Sequence, residues 1–311
     1  MIKKILIGIL SLLLIVFTLI FVFGYASDLT VDELKASYGQ SPSEFIEIEG
    51  MQVHYRIEGS GPTLVLLHGT ASSLHTWNGW AEVLQDSFRV VRMDLPAYGL
   101  TGPHPEAKYN ITDYVDFVDR FLEALSIDEF ALAGNSLGGG IAWNYAISHP
   151  EKVKQLILVD ASGVPKNGSS PIVFRLAKNK ILAPILKRIT PKSFIQKNIE
   201  QVYFDDSKVT IDLVDRYYNF ALRTGNRQAF IDRSRQVYTM EINNLKSIEC
   251  PTLILWGQHD EWIPVEDAQV FKSEIKDSQL IIYENSGHVP MEEIPNETAQ
   301  DAREFLNSKV K

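Results

Sequence analysis

Cysteine is almost missing from this chain. Cys250 is the only one in 311 residues, so the folded chain can hold no internal disulfide. It stands just before the apolar run Pro251–Trp256, where it is expected as a buried small hydrophobe rather than a reactive thiol. Basic charge is also scarce: 30 Lys and Arg stand against 39 Asp and Glu, a net charge of -9. A general nucleic-acid binder needs a basic footprint, and that class is set aside. No internal repeat or low-complexity tract is visible. With 45% apolar and 22% charged residues, the composition is that of a folded globular protein rather than a disordered one. The length allows one catalytic domain with an insertion, or two small domains.

Beyond residue 26 no apolar run is long enough to span a bilayer, but one precedes it. Ile5 to Phe23 contains only apolar residues with Gly8, Ser11 and Thr18, and no charge. Such a run suits ~30 Å of hydrocarbon at ~1.5 Å per residue. Lys3 and Lys4 precede it, and Asp28, Asp32 and Glu33 follow. The lysines favour the cytoplasmic side. The expectation is a membrane anchor over residues 1–27, a transmembrane helix at 5–23, and the remaining chain on the extracytoplasmic side. The alternative is a signal peptide cleaved near Gly24-Tyr25-Ala26, leaving a secreted or periplasmic protein. Residues 28–44 read as a polar tether.

From there the chain alternates. Phe45–Glu49 and Val53–Ile57 flank a turn at Gly50 and read as a hairpin. Strands follow at Thr63–Leu67, Arg89–Met93, Phe130–Ala133 and Val153–Val159. Between them, Ile111, Val115, Val118, Leu122 and Leu125 recur at helical spacing, and a second helix is expected from Ser136 to Ser148. Strand alternating with helix predicts a mostly parallel sheet with helices on both faces. The alternation stops between about residues 163 and 246, then resumes with a strand at Thr252–Trp256, a helix at Val265–Ile275, a strand at Leu280–Tyr283 and a helix at Glu297–Leu306. The division that follows is an α/β core over 28–163 and 247–311, interrupted by a helical cap over 164–246.

The chemistry centres on Gly134-Asn135-Ser136-Leu137-Gly138, between a strand and a helix. There a serine sits on a strained turn with its Oγ exposed, beside the partial positive charge of a helix N-terminus. Serine needs a base to take its proton. Of seven histidines, His288 stands in the loop after the last strand, where open α/β sheets gather their chemistry. His54, His75, His104, His149 and His259 are read as structural or surface residues, and His68 as shaping its loop. Asp260 follows the strand Thr252–Trp256 and is the expected partner of the histidine. Asp160, at the end of Val153–Val159, is its rival and is read as a turn residue, and Asp94 is read as structural. Acyl transfer also needs donors for the oxyanion, each contributing about 2.7–4 kcal/mol of barrier. The backbone N–H groups of Leu137 and Thr70 are the candidates.

The order Ser136, Asp260, His288 resembles the α/β-hydrolase superfamily. So do Leu67-His68-Gly69, Asp94-Leu95-Pro96-Ala97-Tyr98-Gly99, Gly134–Gly139, Trp256–Asp260 and Gly287-His288-Val289-Pro290, in that order, from about residue 45 to 308. Ala97 departs from the glycine usual there. The resemblance implies a serine hydrolase acting through an acyl-enzyme, with no metal or organic cofactor. Within the superfamily the chain is similar to membrane-anchored esterases and monoacylglycerol lipases, which implies a small-molecule or lipid ester as substrate. Carbon–carbon bond hydrolases of aromatic degradation look similar around Asn135-Ser136, but often carry an aromatic residue where Val289 stands. Haloalkane dehalogenases and epoxide hydrolases use an aspartate nucleophile, against Ser136. A non-catalytic binding protein on the same fold would show a broken triad or missing glycines.

Acid is absent from residues 166–199, which hold eight cations: Lys166, Arg175, Lys178, Lys180, Lys187, Arg188, Lys192 and Lys197. Phe174, Ala177, Ile181, Ile185 and Ile189 recur on one face, interrupted at Pro184. A basic amphipathic segment is a membrane-surface signal, and its apolar face is equally suited to covering an active site.

Overall fold

A computed structural model describes residues 3–11, 18, 24–165, 170–236 and 241–308. Its centre is an eight-stranded sheet. The strands are β1 (Ser43–Ile48), β2 (Met51–Glu58), β3 (Thr63–Leu67), β4 (Arg89–Met93), β5 (Phe130–Asn135), β6 (Val153–Val159), β7 (Thr252–Gly257) and β8 (Ser278–Tyr283), in spatial order β1-β2-β4-β3-β5-β6-β7-β8. β1 and β2 pair antiparallel, as do β2 and β4, and every pairing from β4 to β8 is parallel. This is the α/β-hydrolase fold, with a mostly parallel sheet flanked by helices.

Parallel strands are buried on both faces, and the sequence is apolar for that reason. Val65 and Leu67 of β3 enter one core, while Leu64 and Leu66 enter the other. The first core is closed by α3 (Ile111–Ala124), through Val115, Val118, Phe121 and Leu122, and by α4 (Leu137–Ser148), through Ile141, Trp143 and Tyr145. The second is closed by Trp80, Ala81 and Leu84 of α2 (Asn78–Leu84) and by Ala299, Ala302 and Phe305 of α12 (Pro295–Asn307). Asn110 and Asp113 form a capping box that starts α3 one residue before its apolar stripe is needed. Cys250 is partly buried against the first core, and that burial pushes its thiol up to about 11.

Three expectations are corrected. First, among the described residues no helix is long and apolar enough to cross a membrane. That overturns the expected transmembrane helix and the membrane-anchored location built on it. The described stretch at the start of the apolar run is helical over residues 5–11, about 10 Å at 1.5 Å per residue, roughly a third of a bilayer core. Residues 12–17 and 19–23 of the expected span lie outside the described residues.

Second, residues 28–44 are not a tether. They contain α1 (Val31–Tyr38), with a capping box between Thr30 and Glu33. Leu34 is buried with Leu100 and Phe220. Just upstream, the backbone is stitched to the helices between β6 and β7. Ala26 N–H donates to Arg188 O at 3.0 Å, Thr190 N–H to Gly24 O at 2.8 Å, and Leu29 N–H to Leu222 O at 2.8 Å.

Third, the apolar stripe of the basic segment is split. The chain between β6 and β7 runs through α5 (Ile172–Lys178), α6 (Ala183–Leu186), α7 (Lys192–Glu200), α8 (Ile211–Leu222) and α9 (Asn226–Ser234). The break between α5 and α6 resets the helical phase. Ala177 and Ile189 are therefore buried, while Ile181 is 80% and Ile185 40% exposed.

Asp94, at the end of β4, anchors the loops around it. Its carboxylate accepts from Leu74 N–H, Leu100 N–H and His54 Nδ1, each at 2.7 Å, with no solvent exposure. Burial alone would raise its pKa, but His54 outweighs that and holds the carboxyl well below its ordinary value. The depressed folded pKa means that this stability is present above an unfolded value of ~3.9 and is lost as the pH falls below it toward the folded one. Asp94→Ala is expected to cost about 3–5 kcal/mol in urea unfolding at neutral pH, and distinctly less near pH 3, because it leaves buried donors without their charge. An equal loss at both pH values would contradict the ionised role.

Candidate active site

Ser136 is the hinge between β5 and α4. Its backbone has φ 54° and ψ -115°, a sparsely populated conformation that costs of order 1–3 kcal/mol and must be held by its surroundings. The holding is visible. Ser136 N–H donates to Val159 O at 3.1 Å, and its own carbonyl accepts from Gly140 and Ser162 N–H at 3.0 and 2.9 Å. The turn works because side chains are missing. A Cβ on Gly134 would lie 2.2 Å from Gly138 O, and one on Gly138 would lie 2.2 Å from Leu67 O.

The loop after β3 comes up against this turn. A Cβ on Gly69 would sit 2.8 Å from Asn135 Oδ1 and 3.1 Å from Ser136 Cβ. Thr70 and Ser136 line one cavity, and Leu137 follows Ser136 as the first residue of α4. His68 is buried beneath the loop. Its Nε2 accepts from Leu95 N–H at 2.9 Å, which leaves the proton on Nδ1, 2.7 Å from Gly69 O. Burial lowers its pKa and favours this neutral tautomer. The histidine ties two loops together.

On the other side of the cavity, His288 Nδ1 lies 2.6 Å from Asp260 Oδ2. Asp260 Oδ1 accepts from Trp262 and Ile263 N–H at 2.7 and 2.8 Å, so the carboxylate is fixed in orientation. His288 and Ser136 line the same cavity, with the Trp262 ring 5.7 Å from the imidazole. Asp160 hydrogen-bonds Gly257 N–H at 3.0 Å rather than His288. The other histidines stand apart. His54 is paired with Asp94, His104 with Glu49, His149 with the Tyr145 ring and His259 with the Phe204 ring. Among the described residues, the one His/Cys/Asp/Glu group whose ligand atoms gather within 4.8 Å is Asp160, Asp260 and His288. Both Asp260 oxygens in it already serve N–H donors.

Three residues that position the site carried no sequence signal. Asn135 fills the variable place in its motif, yet its Nδ2 donates to Val159 O at 3.2 Å and to His288 O at 3.0 Å, joining the turn to the histidine loop. Glu293 is buried in α11 (Pro290–Glu293). One oxygen accepts from Gly287 N–H at 2.8 Å and Ser286 Oγ at 3.1 Å. The other accepts from Phe204 and Asp205 N–H at 3.0 and 2.8 Å. Val202 O accepts from His288 N–H at 2.8 Å. Glu293 and Val202 together fasten the histidine loop to the helical segment between β6 and β7.

The cavity itself measures ≈ 150 Å³ and is walled mainly by apolar side chains, among them Phe174, Ile195, Ile199, Phe220 and Phe230. Among the described residues, Arg227 is the one Lys or Arg on its wall. That guanidinium is engaged by Asp28 at 2.6 Å and Ala26 O at 2.9 Å.

Comparison with known proteins places this geometry. The alpha/beta hydrolase fold family matches residues 62–184. An uncharacterized protein of Mycobacterium tuberculosis is 30% identical over 280 residues, 85% of this chain and 81% of its own. The chain belongs to the α/β-hydrolase superfamily. A solved structure of a membrane phospholipase A, described as a bacterial virulence factor, is 31% identical, with a TM-score of 0.72 over 98% of both chains. The 2-hydroxymuconate semialdehyde hydrolase of a Pseudomonas species is 28% identical, over 77% of this chain and 84% of its own. The relatives therefore include enzymes that differ in the bond they break.

If Glu293 carries the histidine loop, Glu293→Gln places an amide N–H against donors that now face a carboxylate. The variant is expected to lose about 1.5–3 kcal/mol in urea unfolding, with faster amide exchange at Gly287. An unchanged midpoint and unchanged exchange would show that the loop is held by other contacts.

Proposed function

We propose that this hydrolase cleaves a carboxylic ester with an apolar acyl chain, through an acyl-enzyme on Ser136. His288 takes the hydroxyl proton as general base, and Asp260 fixes its tautomer and stabilises the imidazolium. The N–H groups of Thr70 and Leu137 receive the oxyanion, at the positive end of α4. The helical segment over 164–246 acts as the cap that closes the acyl pocket.

The observation that carries the ester reading is the cavity wall. Carbon–carbon hydrolases of the ring-fission type act on acids, and a carboxylate in an apolar pocket needs a free cation. Here the one cation among the described wall residues, Arg227, already serves Asp28 and Ala26. An acyl chain needs only the apolar wall, and the likeness to a phospholipase A supports that choice. The experiment is a fluorophosphonate probe with an ester panel, from short aryl esters to monoacylglycerols and phospholipids, beside a ring-fission diketone acid. Labelling at Ser136, its loss in Ser136→Ala, and turnover of esters but not the diketone are expected. Turnover of the diketone alone would establish the other reading, and labelling at another serine would move the nucleophile.

The substrate-bearing surface is assigned on charge. Ile181 and Ile185 stand exposed beside Lys178, Lys180, Lys187 and Arg188, in a stretch free of acid. This face suits an anionic lipid surface, where each engaged cation contributes about 1 kcal/mol, screened over ~8 Å at physiological salt. Changing those four cations to glutamate is expected to slow hydrolysis of an ester carried in anionic vesicles while a soluble short-chain ester is cleaved as before. An equal effect on both substrates would refute the surface.

A further inference from the structure

Asp160 is a buried acid that the mechanism above does not use. It ends β6 with φ 44°, has no solvent exposure, and is held by its main chain, since its N–H donates to Leu255 O at 3.0 Å. One side-chain oxygen, Oδ1, accepts from Gly257 N–H at 3.0 Å. The other, Oδ2, is fully buried and receives no N–H or hydroxyl donor. Asp260 is the neighbouring acid. Carboxyl oxygens of Asp160 and Asp260 and a ring nitrogen of His288 share a space of 4.8 Å.

Two carboxyl groups hydrogen-bond only when one of them carries a proton, and the surrounding donors decide which. Asp260 receives three, from Trp262 N–H, Ile263 N–H and His288 Nδ1, so its charge is well compensated. Asp160 receives one. Burial first, then the charges of Asp260 and Glu293, push the Asp160 carboxyl well above its ordinary range. The proton therefore sits on Asp160.

We propose that Asp160 is a positioning residue for the triad acid: it stays protonated and donates from Oδ2 to the Asp260 carboxylate, completing a chain Asp160–Asp260–His288. The donation adds a fourth donor to the three on the Asp260 carboxylate and so restrains its rotation. It also keeps a single negative charge behind the imidazole, where two ionised carboxylates would repel each other. No covalent step is involved, and the proton stays on Asp160 through turnover. The role rests on the serine-hydrolase reading, in which Asp260 orients His288.

The test uses Asp160→Asn and Asp160→Ala in the full chain, with infrared spectra at neutral pH and ester kinetics. In the wild type, the carbonyl stretch of a protonated carboxylic acid is expected. It should be retained in Ser136→Ala and missing from Asp160→Asn. Asparagine tolerates the positive φ and its Nδ2–H replaces the lost donor, so kcat should stay within about threefold of the wild type. Alanine has no donor, and kcat should fall about tenfold or more while KM holds within about twofold. Absence of the carboxylic acid band, its survival in Asp160→Asn, or equal kcat in Asp160→Asn and Asp160→Ala would overturn the proposal. The fluorophosphonate label separates the two readings. A labelled protein without the band keeps the nucleophile and loses the Asp160 proton. An unlabelled protein with the band loses the nucleophile and keeps the proton.

Discussion

At Ser136 the chain reverses from β5 into α4 within a single residue at φ 54°, and neighbouring backbones close in until no Cβ fits at Gly134 or Gly138. That reversal sets the serine oxygen above the sheet and aims the α4 N-terminus at the same spot. It also draws in the loop after β3, which must leave Gly69 bare to approach Asn135 and Ser136. A strained turn persists only where its surroundings over-determine it. Here β6 supplies Val159 O, and the segment after it supplies Ser162 N–H. The sheet order, with β3, β5 and β6 adjacent, is what makes those partners available.

The second half of the site reaches the first through Asn135. Its side chain spans from the turn to His288 O, so the Ser136 turn and the His288 loop are joined by one amide. The histidine loop is in turn fastened to the helical segment, through Val202 and through the four donors on Glu293. Any movement of that segment near Val202–Asp205 would drag the imidazole with it. The stretch from α5 to α6 takes no part in those bonds and exposes Ile181 and Ile185 to solvent.

The stretch before β1 belongs to the same construction. Gly24, Ala26 and Leu29 hydrogen-bond the helical segment, and Asp28 occupies the Arg227 guanidinium on the cavity wall. A residue far upstream in sequence thus pairs the one cation found on the cavity wall among the described residues.

Periodicity and turn chemistry determined the strands, the two core faces and the serine turn. These depend on local patterns: the unbroken apolar run of β3, the 3.6-residue repeat of α3, and glycines on each side of Ser136. Asp260 and His288 were singled out because each follows a strand of a parallel sheet, and the structure brings their side chains to 2.6 Å. Three features were decided only by packing. The capping box Thr30/Glu33 was present in the letters, but a polar segment gave no reason to expect that Leu34 would find a hydrophobic partner in Phe220. The stripe from Phe174 to Ile189 read as one face, because a helical repeat says nothing about where the helix breaks. Asn135 and Glu293 make contacts that exist only between elements distant in sequence. A hydrogen bond from residue 135 to residue 288, or from 204 to 293, leaves no periodic trace, and only the folded chain brings the partners within reach.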